Sequence, residues 1–271
     1  WLLLLDQKLS WAQGVCLAHS AQYQSTHEVT YVRGQMVTDD KAKHLSQGDL
    51  KVTGRLVDAS NATLYATATL DEQEIVCIYK PIAGERPLWD FADGSLAHRE
   101  YAAYLVSEAL GFHLVPLTIL RDGPYGFGMV QEWITIDESI DLGAFFSTDH
   151  PRLRAMALFD AIINNTDRKI GHLLPIDQEQ VFGCDHGVTF HPEDKLRTVL
   201  WQWADDQFNE SEIQLLQHAQ ILLSGELAVQ LQPLLTQVEI EMTGTRIKNL
   251  LETGRFPLPN PNWPAVPWPA F

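Results

Sequence analysis

The sequence predicts an α+β fold, with antiparallel strands gathered in the first half and helices in the second. Residues 51–80 hold three short runs rich in Val, Ile, Thr and Tyr, separated by clusters of turn-forming residues. After about Ile134 the apolar spacing turns helical, with start and stop signals at Pro151, Asn209 and Gly254. Segregated rather than alternating patterns indicate α+β, with residues 1–134 as a strand-rich part and 135–271 as a helical part.

The elements follow in order. Residues 1–50 read as helical or irregular and carry no clear chemistry. The apolar run Trp1–Leu5 is ended by Asp6, is too short to span a bilayer and has no basic stretch before it. It therefore reads as a helix start packed on the body rather than a leader. Strands over 51–57, 64–70 and 74–80, with turns at 58–61 and 71–73, make an antiparallel meander. Pro81 holds Lys80 extended and ends the third strand. After the loop Gly84–Phe91, whose aromatic part Leu88–Phe91 reads either as packing against the following helix or as a gate to an acceptor site, comes that helix, which Ser95 is placed to cap and Gly111 to stop after about Leu110. Runs 114–120 and 128–134 are strand candidates around a turn at 121–124. Pro151 starts a helix reaching Asn164. Short strands at 173–176 and 181–184 flank a turn, and Asn209 with Glu212 forms a capping box for a helix to Leu223. Residues 224–252 read as one or two helices with a break near Pro233 or Gly244, closed by Gly254. The last stretch, 256–271, has six prolines and two tryptophans and is expected to pack irregularly across the body.

The chain of 271 residues is 45% hydrophobic and 20% charged, the composition of an ordinary globular protein. A net charge of −16 argues against nucleic acid and anionic membranes as partners. Its three cysteines, Cys16, Cys77 and Cys184, are far apart and form no CxxC pair. That argues against a disulfide framework and for a reducing, cytoplasmic setting. Cys77 and Cys184 sit in apolar runs and read as small buried hydrophobes.

The chemistry concentrates in a few places. A helix over 151–164 ends in a polar loop holding Asp167, Arg168 and Lys169. Eighteen residues after Asp167, a hydrophobic strand delivers Asp185 in Cys-Asp-His-Gly, where Gly187 is expected to let the chain turn. Two carboxylates at the ends of adjacent short strands can share work: one orients a nucleophile while the other holds Mg²⁺ against phosphates. Lys80 ends the third strand and Glu100 lies one turn into the next helix. A buried Lys needs a carboxylate, and such a pair would aim the ammonium at phosphates. Arg168, Lys169, Lys195 and Arg197 place positive charge near the site, and Asp160 is expected to anchor the loop from within its helix.

The order strand-Lys80, helix-Glu100, Asn165-Thr-Asp167-Arg, Asp185-His-Gly187 resembles the protein-kinase-like superfamily, specifically its phosphatidylinositol 3- and 4-kinase-like group. Tyr79-Lys80-Pro81, Gly84–Phe91 and Asn164–Lys169 are similar to an actinobacterial branch of that group. The resemblance covers roughly 52–203 and the Val266-Pro-Trp-Pro ending. It implies a two-lobed fold with a small β-rich N-lobe and a helical C-lobe. It also implies ATP and Mg²⁺ or Mn²⁺ as cofactors. Lys80, held by Glu100, would meet the α/β-phosphates, while Ser60, Asn61 and Thr63 would form the turn above them. Gln131, Glu132 and Trp133 would form the adenine-contacting hinge. Asp167 would act as base, Lys169 would stabilise the γ-phosphate, and Asp185 with His172 would bind the metal. The phosphate turn departs from the protein-kinase pattern by having no glycine. His172 falls near the slot where kinases carry an Asn, and an imidazole favours softer ions such as Mn²⁺. His186 replaces an aromatic.

The leading expectation is therefore an ATP-dependent phosphotransferase, its acceptor a protein or a small polar molecule rather than a phosphoinositide. A nucleotide-binding pseudokinase is a second reading. A metallohydrolase built on His172, Asp185, His186 and His191 is a third.

Overall fold

The computed structural model describes residues 33–56 and 61–271. The run Trp1–Leu5, Cys16 and Ser60 lie outside them. Helix α1 (Arg33–Gln47) leads into strands β1 (Asp49–Arg55), β2 (Leu64–Leu70) and β3 (Gln73–Pro81), then helix α2 (Leu96–Ala109) and the hairpin β4 (Thr118–Gly123) and β5 (Gly126–Glu132). These strands form one antiparallel sheet in the order β1-β2-β3-β5-β4.

The period-two pattern of β2 sorts its side chains by face. Leu64, Ala66 and Ala68 pack with Leu45 of α1, Tyr79 and Val130. Tyr65 points to the opposite face, with Ile78, Met129 and Ala97 of α2. Lys80, two residues beyond Ile78 on β3, shares that second face.

The helical part comprises α3 (Leu142–Phe145), α4 (Pro151–Ile163), α5 (Glu210–Leu223), α6 (Glu226–Leu231) and α7 (Gln237–Thr253), with a small hairpin of β6 (Leu173–Pro175) and β7 (Val181–Gly183). Leu153, Met156, Phe159, Ile162 and Ile163 of α4 are fully buried. At roughly 2 kcal/mol each, that burial fixes the helix in the core, so the loop after it starts from a rigid origin. Asn164, with φ 52°, ends α4 in the left-handed conformation. Asn209 and Glu212 cap α5 reciprocally, Thr236 and Glu239 do the same for α7, and Gly254 closes α7 at φ 66°.

Several expectations are corrected. Ser95 does not cap α2: its hydroxyl donates to the Ala92 carbonyl at 2.6 Å. The Glu85 carboxylate takes that place, accepting the N–H of Leu96 at 3.2 Å and of Ala97 at 3.0 Å. The turn at 121–124 is displaced, because β4 and β5 stay paired as far as Gly123 and Gly126. Gly244 does not break α7: a Cβ there would meet nothing, and packing of the helix outweighs the modest propensity cost of about 1 kcal/mol. The tail 256–271 does pack across the body, through Ala265 and Ala270, although Trp268 remains exposed. Cys77 and Cys184 are buried thiols.

Candidate active site

Lys80 comes off the end of β3 and is only 3% exposed. Its ammonium donates to Glu100 Oε1 at 2.7 Å and to Asp185 Oδ1 at 2.6 Å. Glu100, on the first turns of α2, is fully buried, and its second oxygen accepts the backbone N–H of His186 at 2.8 Å. One cation thus joins the sheet, α2 and the segment after β7. Burial pushes the Glu100 carboxyl upward, against the pull of Lys80. At Asp185 the balance goes the other way. Despite the cost of burial, Lys80 and Lys169 hold its carboxyl well below the usual range.

Asp185 has φ 62°, a left-handed conformation unfavourable for a side-chain-bearing residue. Gly187, expected to make this turn, has no positive φ. Its lack of a side chain serves close approach instead: a Cβ there would lie 3.3 Å from Leu96 Cβ and 3.6 Å from Glu100 Oε1.

The loop after α4 is built around Asp160, whose carboxylate is fully buried. It accepts from Arg168 Nε at 3.0 Å and Nη2 at 2.8 Å, from Asn165 Nδ2 at 2.9 Å and from Thr198 Oγ1 at 3.3 Å. Asn165 Oδ1 in turn accepts the N–H of Asp167 at 3.0 Å. Arg168 is therefore a structural cation with no exposure, not part of a surface positive patch. Its Nη2 also donates to His186 Nε2 at 2.7 Å, which leaves that imidazole neutral with its proton on Nδ1.

Asp167 lies next to Lys169 Nζ at 2.9 Å and Arg197 Nη2 at 3.3 Å. Burial raises its carboxyl above the ordinary range, and Lys169 opposes the rise. His172 Nε2 stands 3.4 Å from Asp185 Oδ2. Burial depresses this imidazole to about 3, so it is neutral at physiological pH.

Above these groups, the register Leu64↔Tyr79 continues to place Thr63 opposite Lys80. The Thr63 hydroxyl is buried without a hydrogen-bond partner. Asn61 Oδ1 accepts the N–H of Arg86 at 2.8 Å, and the Ala62 N–H donates to the Gly84 carbonyl at 3.0 Å. Only glycine fits at 84, because a Cβ there would come 2.3 Å from Ala62 Cβ.

The amides of Glu132 and Trp133 donate to Leu117 O and Val76 O, and the Gln131 side chain donates to Thr118 Oγ1 at 2.9 Å. These residues are engaged inside the sheet, and the chain leaves it at Ile134–Ile136. There Ile134 and Ile136 pack with Leu174, Phe182 and Cys184, while Ile78 and Met129, with Trp133 against them, form a separate apolar cluster. That apolar exit carried no motif in the sequence, because Ile134 and Ile136 meet Leu174 only through the fold.

His191 lies apart, its Nε2 3.2 Å from Lys195 Nζ, and His186 faces Arg168. His172 and Asp185 are neighbours, but His186 and His191 do not join them. Among the described residues no group of three or more His, Cys, Asp and Glu side chains is placed to hold a metal together. A hydrolase built on those four side chains has no geometric basis here.

The chain is 41% identical over 268 residues to Protein Rv2133c of Mycobacterium tuberculosis, a match spanning 86% of this chain and 96% of the relative. The chain belongs to the family of that protein. No family model matches this member of the Rv2133c family. Its fold is also similar to a solved structure of the Helicobacter pylori proinflammatory kinase CtkA, with TM-score 0.43 and 10% identity over 78% of this chain and 94% of that one. Among the described residues no helix is long and apolar enough to cross a membrane.

Proposed function

We propose that this Rv2133c-family protein is an ATP-dependent phosphotransferase of the protein-kinase-like superfamily, within its phosphatidylinositol 3- and 4-kinase-like group. The observation that carries the reading is the buried Lys80 ammonium held between Glu100 and Asp185. A cation placed so, at the end of a strand and beside a turn with an orphan hydroxyl at Thr63, suits the phosphates of a nucleotide. Asn61 and Thr63 would line the turn above them, and the chain near Trp133–Ile136 would flank the base.

Asp185 and His172 fit a divalent cation as one carboxylate and one neutral imidazole, a set that favours Mn²⁺ over Mg²⁺. When bound, such an ion supplies charge neutralisation to phosphate oxygens. Lys80 orients the phosphates, Glu100 orients Lys80, and Asp167 accepts the proton of the acceptor hydroxyl. Lys169 stands beside Asp167, where it would stabilise charge on the transferred group. The reading includes a cytoplasmic setting.

The test is calorimetric titration of ATP with Mg²⁺, then Mn²⁺, into the wild type and Asp185→Ala. Metal-dependent binding, at least tenfold weaker in the variant, is expected. Metal-independent binding untouched by the substitution would replace the reading with a nucleotide-sensing pseudokinase. Absence of binding with either ion would refute it.

A further inference from the structure

Beside Asp167, a cavity of about 450 Å³ opens between the sheet and the loop after α4. Lys80, Glu100 and Asp185 bound one end of it. Arg86, Trp89, Thr166, Asp167, Arg197 and Trp263 bound the other. These six come from four segments remote in sequence: the aromatic loop, the loop after α4, the stretch at Arg197 and the proline-rich tail.

One buried cation ties those segments together. Lys195 is 3% exposed and donates to Asp90 Oδ2 at 2.9 Å. Its ammonium lies 4.6 Å from the centre of the Trp89 ring and 5.1 Å from that of Trp263. Two cation–π contacts and an ion pair on one ammonium hold the loop and the tail side by side at the rim, where Trp263 is half-buried and Trp89 is exposed. Phe91 anchors the same loop from behind, with the Arg99 guanidinium 4.8 Å from its ring centre.

One buried donor at this rim has no acceptor among the described residues. The Trp263 indole N–H is buried without a hydrogen-bond partner. Arg86, bonded to Asn61 through its backbone N–H, lines the same cavity with an exposed guanidinium. A buried orphan donor costs about 1–3 kcal/mol, which a protein tolerates where a ligand completes the bond. In a chain of net charge −16, a guanidinium and an orphan indole N–H lining one cavity offer an anion two donors. The flanking tryptophan faces suit a flat or ring-shaped carbon skeleton.

We propose that the acceptor is a small anionic compound bearing a ring and a hydroxyl group, its anionic group held by Arg86 and Trp263 Nε1 and its ring by Trp89 and Trp263. The proposal rests on the phosphotransferase reading. In the reaction, the acceptor oxygen bonds to the terminal phosphorus of ATP as the bond from that phosphorus to the ADP oxygen breaks. ADP leaves with the electron pair, and the hydroxyl proton passes to Asp167.

The test uses 4-fluorophenyl phosphate, a ring with an anionic group and no acceptor hydroxyl. Its binding is followed by fluorine NMR in the presence of Mn²⁺-free Mg²⁺ and a saturating non-hydrolysable ATP analogue, which keeps the probe from the site of the terminal phosphate. The wild type is expected to bind the probe at least tenfold more tightly than 4-fluorophenol or inorganic phosphate. Arg86→Ala and Trp263→Leu should each weaken it about tenfold. Trp263→Phe, which keeps the ring and deletes the N–H, should fall between Trp263→Leu and the wild type. Equal probe binding by the wild type and both Arg86→Ala and Trp263→Leu would overturn the proposal. So would capture of anionic vesicles that depends on Arg86 and Trp263 and is not displaced by the probe. Failure of the ATP analogue to bind the wild type would instead sink the phosphotransferase reading, and probe binding measured without nucleotide would then report on the pocket by itself.

Discussion

Asp160→Ala removes the centre of the loop that carries Asp167. The Asp160 carboxylate receives four donors from three residues, and the guanidinium of Arg168 it neutralises is fully buried. After the substitution, Arg168 keeps the Cys184 carbonyl at 3.0 Å and the His186 ring but has lost its counter-charge. Breaking a buried ion pair from one side costs about 3–5 kcal/mol, because the remaining charge stays desolvated. For a chain of this size each kcal/mol lowers the melting temperature by about 2–4 °C, so a fall of about 12 °C is expected. Thermal unfolding followed by far-UV circular dichroism measures it. The double variant Asp160→Leu with Arg168→Met removes both charges and should recover most of the loss. A single variant melting within about 2 °C of the wild type, or a double variant no better than the single, would refute the account of Asp160 as the electrostatic anchor of this loop.

Three other perturbations follow from named contacts. Gly84→Ala drives a Cβ into Ala62 and pushes the turn bearing Asn61 away from Lys80. It should weaken ATP binding by about tenfold, an overpacking cost of about 1.4 kcal/mol, and Ala62→Gly in the same chain should restore part of it in calorimetry. Glu239→Ala strands the buried Arg99 guanidinium, which keeps the Thr189 carbonyl at 2.7 Å, the Ser95 hydroxyl at 3.4 Å and the Phe91 ring but no counter-charge. Amide exchange in α2 should accelerate, and unchanged protection would contradict the contact's importance. His172 is neutral in the folded chain down to about pH 3, whereas an unfolded His takes up its proton near 6.5. The unfolded state therefore binds the extra proton first, and stability falls as pH drops through that window, by up to about 1.4 kcal/mol per unit for this residue. His172→Asn should flatten the change in urea midpoint between pH 7 and pH 5, with the remaining slope coming in part from His186, which burial depresses likewise.

What could be read from the sequence was what local pattern encodes. The meander, α4 with its Pro151 start and the capping box of α5 each rest on neighbours within a few residues. The Lys80–Glu100 contact was legible too, because a strand-ending Lys followed by a helix offers few other buried carboxylates. The rest depends on contacts between distant segments. Glu85 caps α2 across the intervening loop, with no Ser-x-x-Glu spacing to announce it. Arg168 and Lys169 read alike as a basic pair, yet one is enclosed by Asp160 and the other reaches Asp167. The strain falls on Asp185 rather than on Gly187 two residues later, a choice set by where Lys80 and His172 hold the carboxylate. The engaged amides of Glu132 and Trp133 follow from β5 running to Glu132 between β3 and β4.

Arg99 and Glu100 show how these distant contacts make one device. Consecutive residues on a helix point about 100° apart, so neighbours on α2 can serve different partners. Glu100 turns to Lys80 and to the N–H of His186. Arg99 turns to Glu239 on α7, to the Thr189 carbonyl and to the Phe91 ring. Thr189 itself donates through its hydroxyl to the His186 carbonyl at 2.7 Å. The segment 185–189 is therefore gripped at its amide by Glu100 and at its carbonyls by Arg99 and Thr189. A rotation of α2 that withdrew Glu100 from Lys80 would also break the hold on the segment carrying Asp185. The position of the ammonium and the position of the carboxylate are thus set by one rigid helix, and the two cannot be misplaced independently.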